Sequence, residues 1–184
     1  MESDKPRSTS ISANIDVPRT IVIPIDGTEN SDLSFKWYVD NLLRSTDTVY
    51  VLHVSEPVSM PLIKISEGKS WEEKLQDKLN KVQEMEKFFN YELESLKIFK
   101  GGMLVVYSDT ANKESLGYTI ITEAEKRQAN LIIMTSRGLS RMRRRIFGSV
   151  SDYVINNANV PVLILPPGSR EDDIIPGRKS SYLS

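Results

Sequence analysis

The chain has 184 residues, a formal net charge of −1 and no cysteine. That length fits one domain with tails, the near-zero charge gives no general pull toward nucleic acid or anionic membrane, and the lack of cysteine excludes disulfides, thiol catalysis and thiolate metal sites. No apolar run approaches the roughly 20 residues that span a bilayer, and the first sixteen residues lack the apolar stretch of a secretory signal. The sequence therefore reads as a soluble, cytoplasmic protein. A folded domain is expected at 18–167, between polar tails at 1–17 and 168–184 whose composition reads as disordered.

Thr20-Ile21-Val22-Ile23-Pro24-Ile25 is a continuous apolar run ending at Asp26-Gly27, the pattern of a strand buried on both faces. Ser31 is a candidate cap for a helix in which Phe35, Val39, Leu42 and Leu43 share a face. Thr48 to Val54 predicts a second strand. Glu56 to Lys69, with Pro57, Pro61 and Gly68, predicts a loop that also carries Met60, Leu62, Ile63 and Ile65. A long helix is expected where Leu75, Leu79, Val82, Met85, Phe88, Phe89, Leu93 and Leu96 keep helical spacing. Gly101-Gly102 would end the next connection and Met103 to Tyr107 form a third strand. Leu116, Ile120, Ile121 and Ala124 mark a third helix, Leu131 to Met134 a fourth strand, Val150, Val154 and Ala158 a fourth helix, and Val160 to Leu165 a fifth strand.

Strands that alternate with helices must run parallel, because each crossover returns the chain to the same end. The expected architecture is an α/β fold, an open, doubly wound, five-stranded parallel sheet of Rossmann-like type with helices on both faces. Ligands of such sheets bind beyond the C-terminal ends of the strands, where strand order reverses. The segments that reach that edge are Asp26-Gly27-Thr28, the residues after His53, Ser108-Asp109, and Thr135 onward.

The stretch from Thr135 to Ser151 is the richest in chemistry. Gly138 follows a buried strand, Gly148-Ser149 opens a helix, and five arginines lie between Arg137 and Arg145. Glycines let backbone amides approach an oxyanion, and a helix N-terminus offers unpaired N–H groups and partial positive charge. Ser149 and Ser151 could add hydroxyls. On glycine spacing alone, a helix cap at Gly148-Ser149 and a plain turn at Gly138 stand beside the phosphate reading. The pattern is neither a P-loop nor GxGxxG.

The loop resembles the signature of the universal stress protein family: a glycine, two residues, a glycine, nine residues, then Gly-Ser or Gly-Thr. Gly138, the nine residues after it and Gly148-Ser149 match it. The flanks are similar too: Leu131 to Met134 before, Val150-Ser151-Asp152-Tyr153-Val154 after, then Val160 to Ile164, together with Ile23 to Ser31 and Leu52-His53-Val54. The resemblance spans nearly the whole folded region. It implies an adenine nucleotide α-hydrolase-like fold and an ATP or AMP site built from Pro24, Ile25, Asp26, Val54, Met134, Thr135, Ser136, Arg137, Gly138, Arg141, Gly148, Ser149, Val150 and Ser151. In it, Asp26 would contact the ribose end, the Val54 backbone would hold adenine, and Gly148, Ser149 and Val150 would hold phosphates, with a Mg²⁺ bridging the phosphates as an option. Two departures stand out. Thr135 replaces the first signature glycine, and Ser108-Asp109-Thr110 replaces the Gly and Pro frequent after the third strand.

Asp26 also reads as a turn aspartate serving Thr28 and Ser31, and His53, the single histidine, as a packed core residue rather than a catalyst. The arginine cluster lacks the interleaved aromatics of a nucleic-acid platform, so nucleic acid and membrane are not expected partners. The Met60 to Ile65 segment reads either as a cover over adenine or as a loop packed on its own domain. The family resemblance implies a homodimer through the last strand, Val160 to Leu165, with Pro161 limiting the pairing. Three functional readings stand: a nucleotide-binding regulatory protein, a slow ATPase, and a nucleotide-free interaction module.

Overall fold

The computed structural model describes residues 17–57, 70–98, 100–108, 113–136 and 148–166; the expected tails, the Met60 to Ile65 segment and most of the arginine-rich loop lie outside them. Five strands, β1 (Thr20–Ile25), β2 (Thr48–Ser55), β3 (Gly101–Tyr107), β4 (Leu131–Thr135) and β5 (Val162–Leu165), alternate with four helices, α1 (Glu29–Asn41), α2 (Trp71–Ser95), α3 (Lys113–Lys126) and α4 (Ser149–Asn157). The strands form one parallel sheet in the order β3-β2-β1-β4-β5. This is the doubly wound α/β architecture expected from the alternation of apolar runs and helical stripes.

Period-two alternation sorts the strand side chains into two cores. Ile21, Ile23, Val49, Val51, Met103, Ile133 and Leu165 point to one face and pack with Phe35 and Tyr38 of α1 and Phe89 and Leu93 of α2. Val22, Leu52, Ile132 and Met134 point to the other, against Ile120, Ile121 and Ala124 of α3 and Val154 of α4. Two apolar faces per strand explain why the strand sequences are mostly apolar on both alternations.

Several element ends differ from expectation. The cap of α1 is Thr28, whose hydroxyl accepts from Ser31 N, and Leu42 is the C-terminal cap, which leaves Leu43 outside the helix. Ser31 Oγ instead donates to Thr28 O at 2.7 Å and accepts from Asp26 N at 3.3 Å. The helix thus starts three residues early, because a threonine with extended backbone precedes the serine. Ser70 and Glu73 form a capping box that starts α2. Gly101 and Gly102 lie within β3 rather than before it; at Gly101, φ is +107° and a Cβ would sit 1.9 Å from Val49 O, so glycine is required where β3 begins to pair. Ala158 caps α4 and β5 starts at Val162.

The N-terminal end of the sheet is locked by a buried ion pair. Arg19 binds Asp47 through Nε at 2.9 Å and Nη2 at 2.6 Å, and Tyr38 Oη donates to the same carboxylate at 2.8 Å. The Asp47 side chain is fully buried. Burial alone would raise its pKa, but the Arg19 and Tyr38 bonds and the Arg19 charge outweigh that and hold it below the ordinary carboxylate value.

Candidate functional site

Strand order reverses between β1 and β4, so the ligand crevice of this fold lies beyond the C-terminal ends of those two strands. Their ladder stops early. β1 and β4 pair at Ile21↔Leu131 and Val22↔Ile132, whereas β1 and β2 stay paired through Ile25↔His53. Asn130 N donates to Thr20 O, so even-numbered residues of β1 present their backbone to β4. The next donor in that series is residue 24, aimed at Ile133 O, and Pro24 has no N–H. One imino acid in a central strand therefore ends the ladder, and the gap in pairing runs from there to Ile25-Asp26 on one strand and Thr135-Ser136 on the other.

Asp26 stands at one side of this gap, partly exposed. Its Oδ1 accepts from Thr28 N at 3.0 Å and Thr28 Oγ1 at 2.6 Å, so the turn role foreseen for it is present. Between them Gly27 takes φ +75°, and a Cβ there would lie 2.8 Å from the Met85 sulfur; the turn is tight against α2. His53 is nearly buried, and its Nδ1 lies 3.2 Å from Ile25 O. Burial lowers its pKa, a shift that Lys78 adds to and that Asp26 and the Ile25 bond oppose. A carbonyl can only accept, so Nδ1 carries a proton, and burial favours the uncharged form of the ring. This is a packing histidine that ties β2 to the last residue of β1. Val54 follows it, paired with Val106 and past the end of β1.

On the opposite side, Met134 is buried in the second core and Thr135 is paired with Leu165. Ser136 is fully buried, with N and Oγ both donating to Leu165 O, so its hydroxyl serves the end of β5. Arg137, Gly138 and Arg141 lie outside the described residues. Chain direction locates the next component. α4 ends at Asn157, and four residues then lead to the start of β5 at the N-terminal side of the sheet, so the N-terminus of α4 stands at the C-terminal edge, where the β1–β4 ladder has ended. Its cap residue is Gly148, with φ −77° and no side-chain cap hydrogen bond. No left-handed backbone is needed at Gly148; what glycine supplies is the absence of a capping side chain. Ser149 is exposed and Val150 half-buried. Ser151 is nearly buried and its hydroxyl donates to Gly148 O at 2.9 Å, so it braces the turn rather than reaching outward.

The structure thus brings Pro24, Ile25, Asp26, Thr135, Gly148, Ser149 and Val150 to one edge of the sheet, places Val54 one strand away, and assigns the Ser136 and Ser151 hydroxyls to bracing. The donor set suits an oxyanion: backbone N–H groups at a helix start with one exposed hydroxyl. The ladder-breaking role of Pro24 was missed from sequence; its signal was a proline inside a run that otherwise reads as a central strand.

The model of the universal stress protein family matches residues 18–166 of the chain. A relative from Methanocaldococcus jannaschii, universal stress protein MJ0531, is 31% identical over an alignment of 164 residues that covers 83% of this chain and 85% of that protein. Among solved structures, hypothetical protein MJ0577 superposes with a TM-score of 0.61 at 27% identity, covering 83% of this chain and 98% of that one. A universal stress protein in complex with cAMP superposes with a TM-score of 0.51 at 17% identity, covering 81% and 97%; at that identity the likeness speaks for the fold.

Proposed function

The chain belongs to the universal stress protein family, and from that premise we propose that it is a nucleotide-binding regulatory protein that takes ATP or AMP in the crevice between β1 and β4. The observation that carries this reading is the pairing of two features: a β1–β4 ladder that ends at Pro24, where strand order reverses, and a helix N-terminus at the same edge whose cap residue, Gly148, makes no side-chain cap hydrogen bond. The N–H groups that open α4 and the Ser149 hydroxyl would hold phosphate, Asp26 the ribose hydroxyls and the Val54 backbone the adenine edge. That a family member of this fold has been solved in complex with cAMP supports an adenine ligand. A Mg²⁺ accompanying ATP would be held by phosphates and water; among the described residues no cluster of three His, Asp or Glu side chains offers a protein-built metal site.

Among the described residues, the groups at the crevice support regulation rather than catalysis. His53 is buried and bonded to backbone, and Asp26 is engaged by Thr28, so neither is poised as a general base toward the gap. Calorimetric titration of the purified full chain with ATP, ADP and AMP tests the reading. Saturable binding of at least one nucleotide at one site per chain is expected. No heat and no thermal stabilisation with any of the three would overturn it and favour the nucleotide-free module.

A further inference from the structure

β3 closes one end of the sheet and β5 the other. Lys100 O accepts from Val49 N and Ser108 N donates to Ser55 O, so the even-numbered residues of β3 bond to β2. The odd-numbered ones, Gly101, Met103, Val105 and Tyr107, direct their N–H and C=O groups outward. The exposed strand reads Gly-Gly-Met-Leu-Val-Val-Tyr: it is uncharged, β-branched in its second half and free of proline. It lacks the lysine, proline or inward charge that commonly blunts an edge, and its composition is that of a segment prone to pair with copies of itself. Among the described residues, the side chain that meets this edge is Asn90. This side chain projects from α2 and its Oδ1 accepts from Met103 N at 3.2 Å, at the second of the four outward positions.

We propose that Asn90 guards the free edge of β3 against strand addition by a second copy of the chain. A strand docking antiparallel or parallel along β3 needs the Met103 N–H as one rung of its ladder. With that rung taken by the Asn90 amide, an incoming strand meets an occupied donor and a side chain standing in its path. α2 is held in place independently, by Phe89 and Leu93 in the core, so the guard does not rest on the contact it makes. The consequence is that self-association through β3 is suppressed, while among the described residues no side chain guards β5 in the same way.

The test is Asn90→Ala in the full chain, with Asn90→Asp as the variant that keeps the acceptor, followed by sedimentation velocity over a hundredfold concentration range and hydrogen exchange at the Met103 amide. Asn90 is exposed on a helix, and alanine is the better helix former, so folding is expected to survive; the melting transition checks it. Asn90→Ala should form concentration-dependent species larger than the wild type, with Met103 exchange at least tenfold faster at low concentration. Asn90→Asp should sediment as the wild type. Adding Val105→Pro, which removes an outward N–H, should abolish the larger species. Faster Met103 exchange with an unchanged sedimentation profile would overturn the proposal, as would larger species that persist in the Val105→Pro double variant.

Discussion

Gly148 separates the two services a helix start can perform. With an aspartate there the carboxylate would bond the Ser151 N–H or its neighbour, capping α4, and would carry a negative charge to the place where phosphate is proposed to sit. The backbone at φ −77° and ψ 160° accepts any residue, so Gly148→Asp should raise stability by a few tenths of a kcal/mol, seen as a slightly higher Tm. Nucleotide affinity should fall at least tenfold, about 1.4 kcal/mol, by calorimetry. Equal affinity in wild type and variant would remove α4 from the site. His53 gives a second test on a single side chain. Burial depresses its folded pKa below the ordinary 6.5, so as pH falls through 6.5 the unfolded chain gains a proton that the folded one resists. Stability is therefore complete above pH 6.5 and declines below it, until the folded ring itself titrates. With one histidine in the chain, His53→Gln should flatten the urea-midpoint profile between pH 6.5 and 5; an unaltered slope would mean that the ring titrates alike in both states. At this scale the sequence told residue types, and partners only where they are local, as for Asp26 and Thr28. Ser136 and Ser151 share the chemistry of ligand contacts, yet their hydroxyl bonds to Leu165 and Gly148 are set by which carbonyls lie within hydrogen-bond reach, and that depends on strand register and helix start.

Elements were legible where burial dictates composition. A strand covered on both faces must be apolar at every position and a helix covered on one face must repeat near 3.6 residues, which is why the five strands and four helices were all visible. Their ends were not, because caps depend on backbone conformation: Thr28 and Ser31 are both good caps by type, and Gly101-Gly102 reads as a turn until a neighbouring strand demands its missing Cβ. Packing between helices was equally hidden. α3 and α4 lie side by side over the second core, and at Gly117 a Cβ would fall 2.5 Å from Tyr153 Cδ1 and 3.1 Å from Tyr153 Cβ. Gly117→Ala therefore sets two effects against each other. Helix propensity favours alanine by about 1 kcal/mol, while overpacking a close contact costs roughly 1–3 kcal/mol. Because one of the clashing atoms is Tyr153 Cβ, which a rotamer change cannot withdraw, the steric cost should win, with a net loss of about 1 kcal/mol by urea denaturation. The double variant Gly117→Ala, Tyr153→Ala should lose less than the sum of the two singles. A Gly117→Ala variant more stable than the wild type would show that α3 and α4 can separate freely.

At the level of the whole molecule, β3 and β5 are the two end strands of the sheet and differ in character. At β5, Ile132 N donates to Pro161 O and Ser136 N to Leu165 O, so odd-numbered residues face β4 and the backbone groups of Val162 and Ile164 face outward. Pro161, expected from sequence to limit pairing, presents its missing N–H toward β4 and takes no donor from the free edge. Leu163 spends its backbone on β4 and its side chain on the α1–α2 core, so a charge there would attack the fold along with any dimer. Ile164→Pro is the sharper probe, because it deletes one outward N–H and leaves the bonds of residues 161, 163 and 165 to β4 intact. If two copies join through β5, as the family resemblance implies, Ile164→Pro should sediment as a monomer at concentrations where the wild type is dimeric. It should keep the wild-type helical circular dichroism and lose no more than about 2 kcal/mol of apolar contact. A variant that remains dimeric would place the interface elsewhere. A dimer built on β5 and an edge guarded at β3 are complementary: a sheet with both edges open could extend without limit through head-to-tail contacts, whereas one open edge meeting its own copy closes after two subunits.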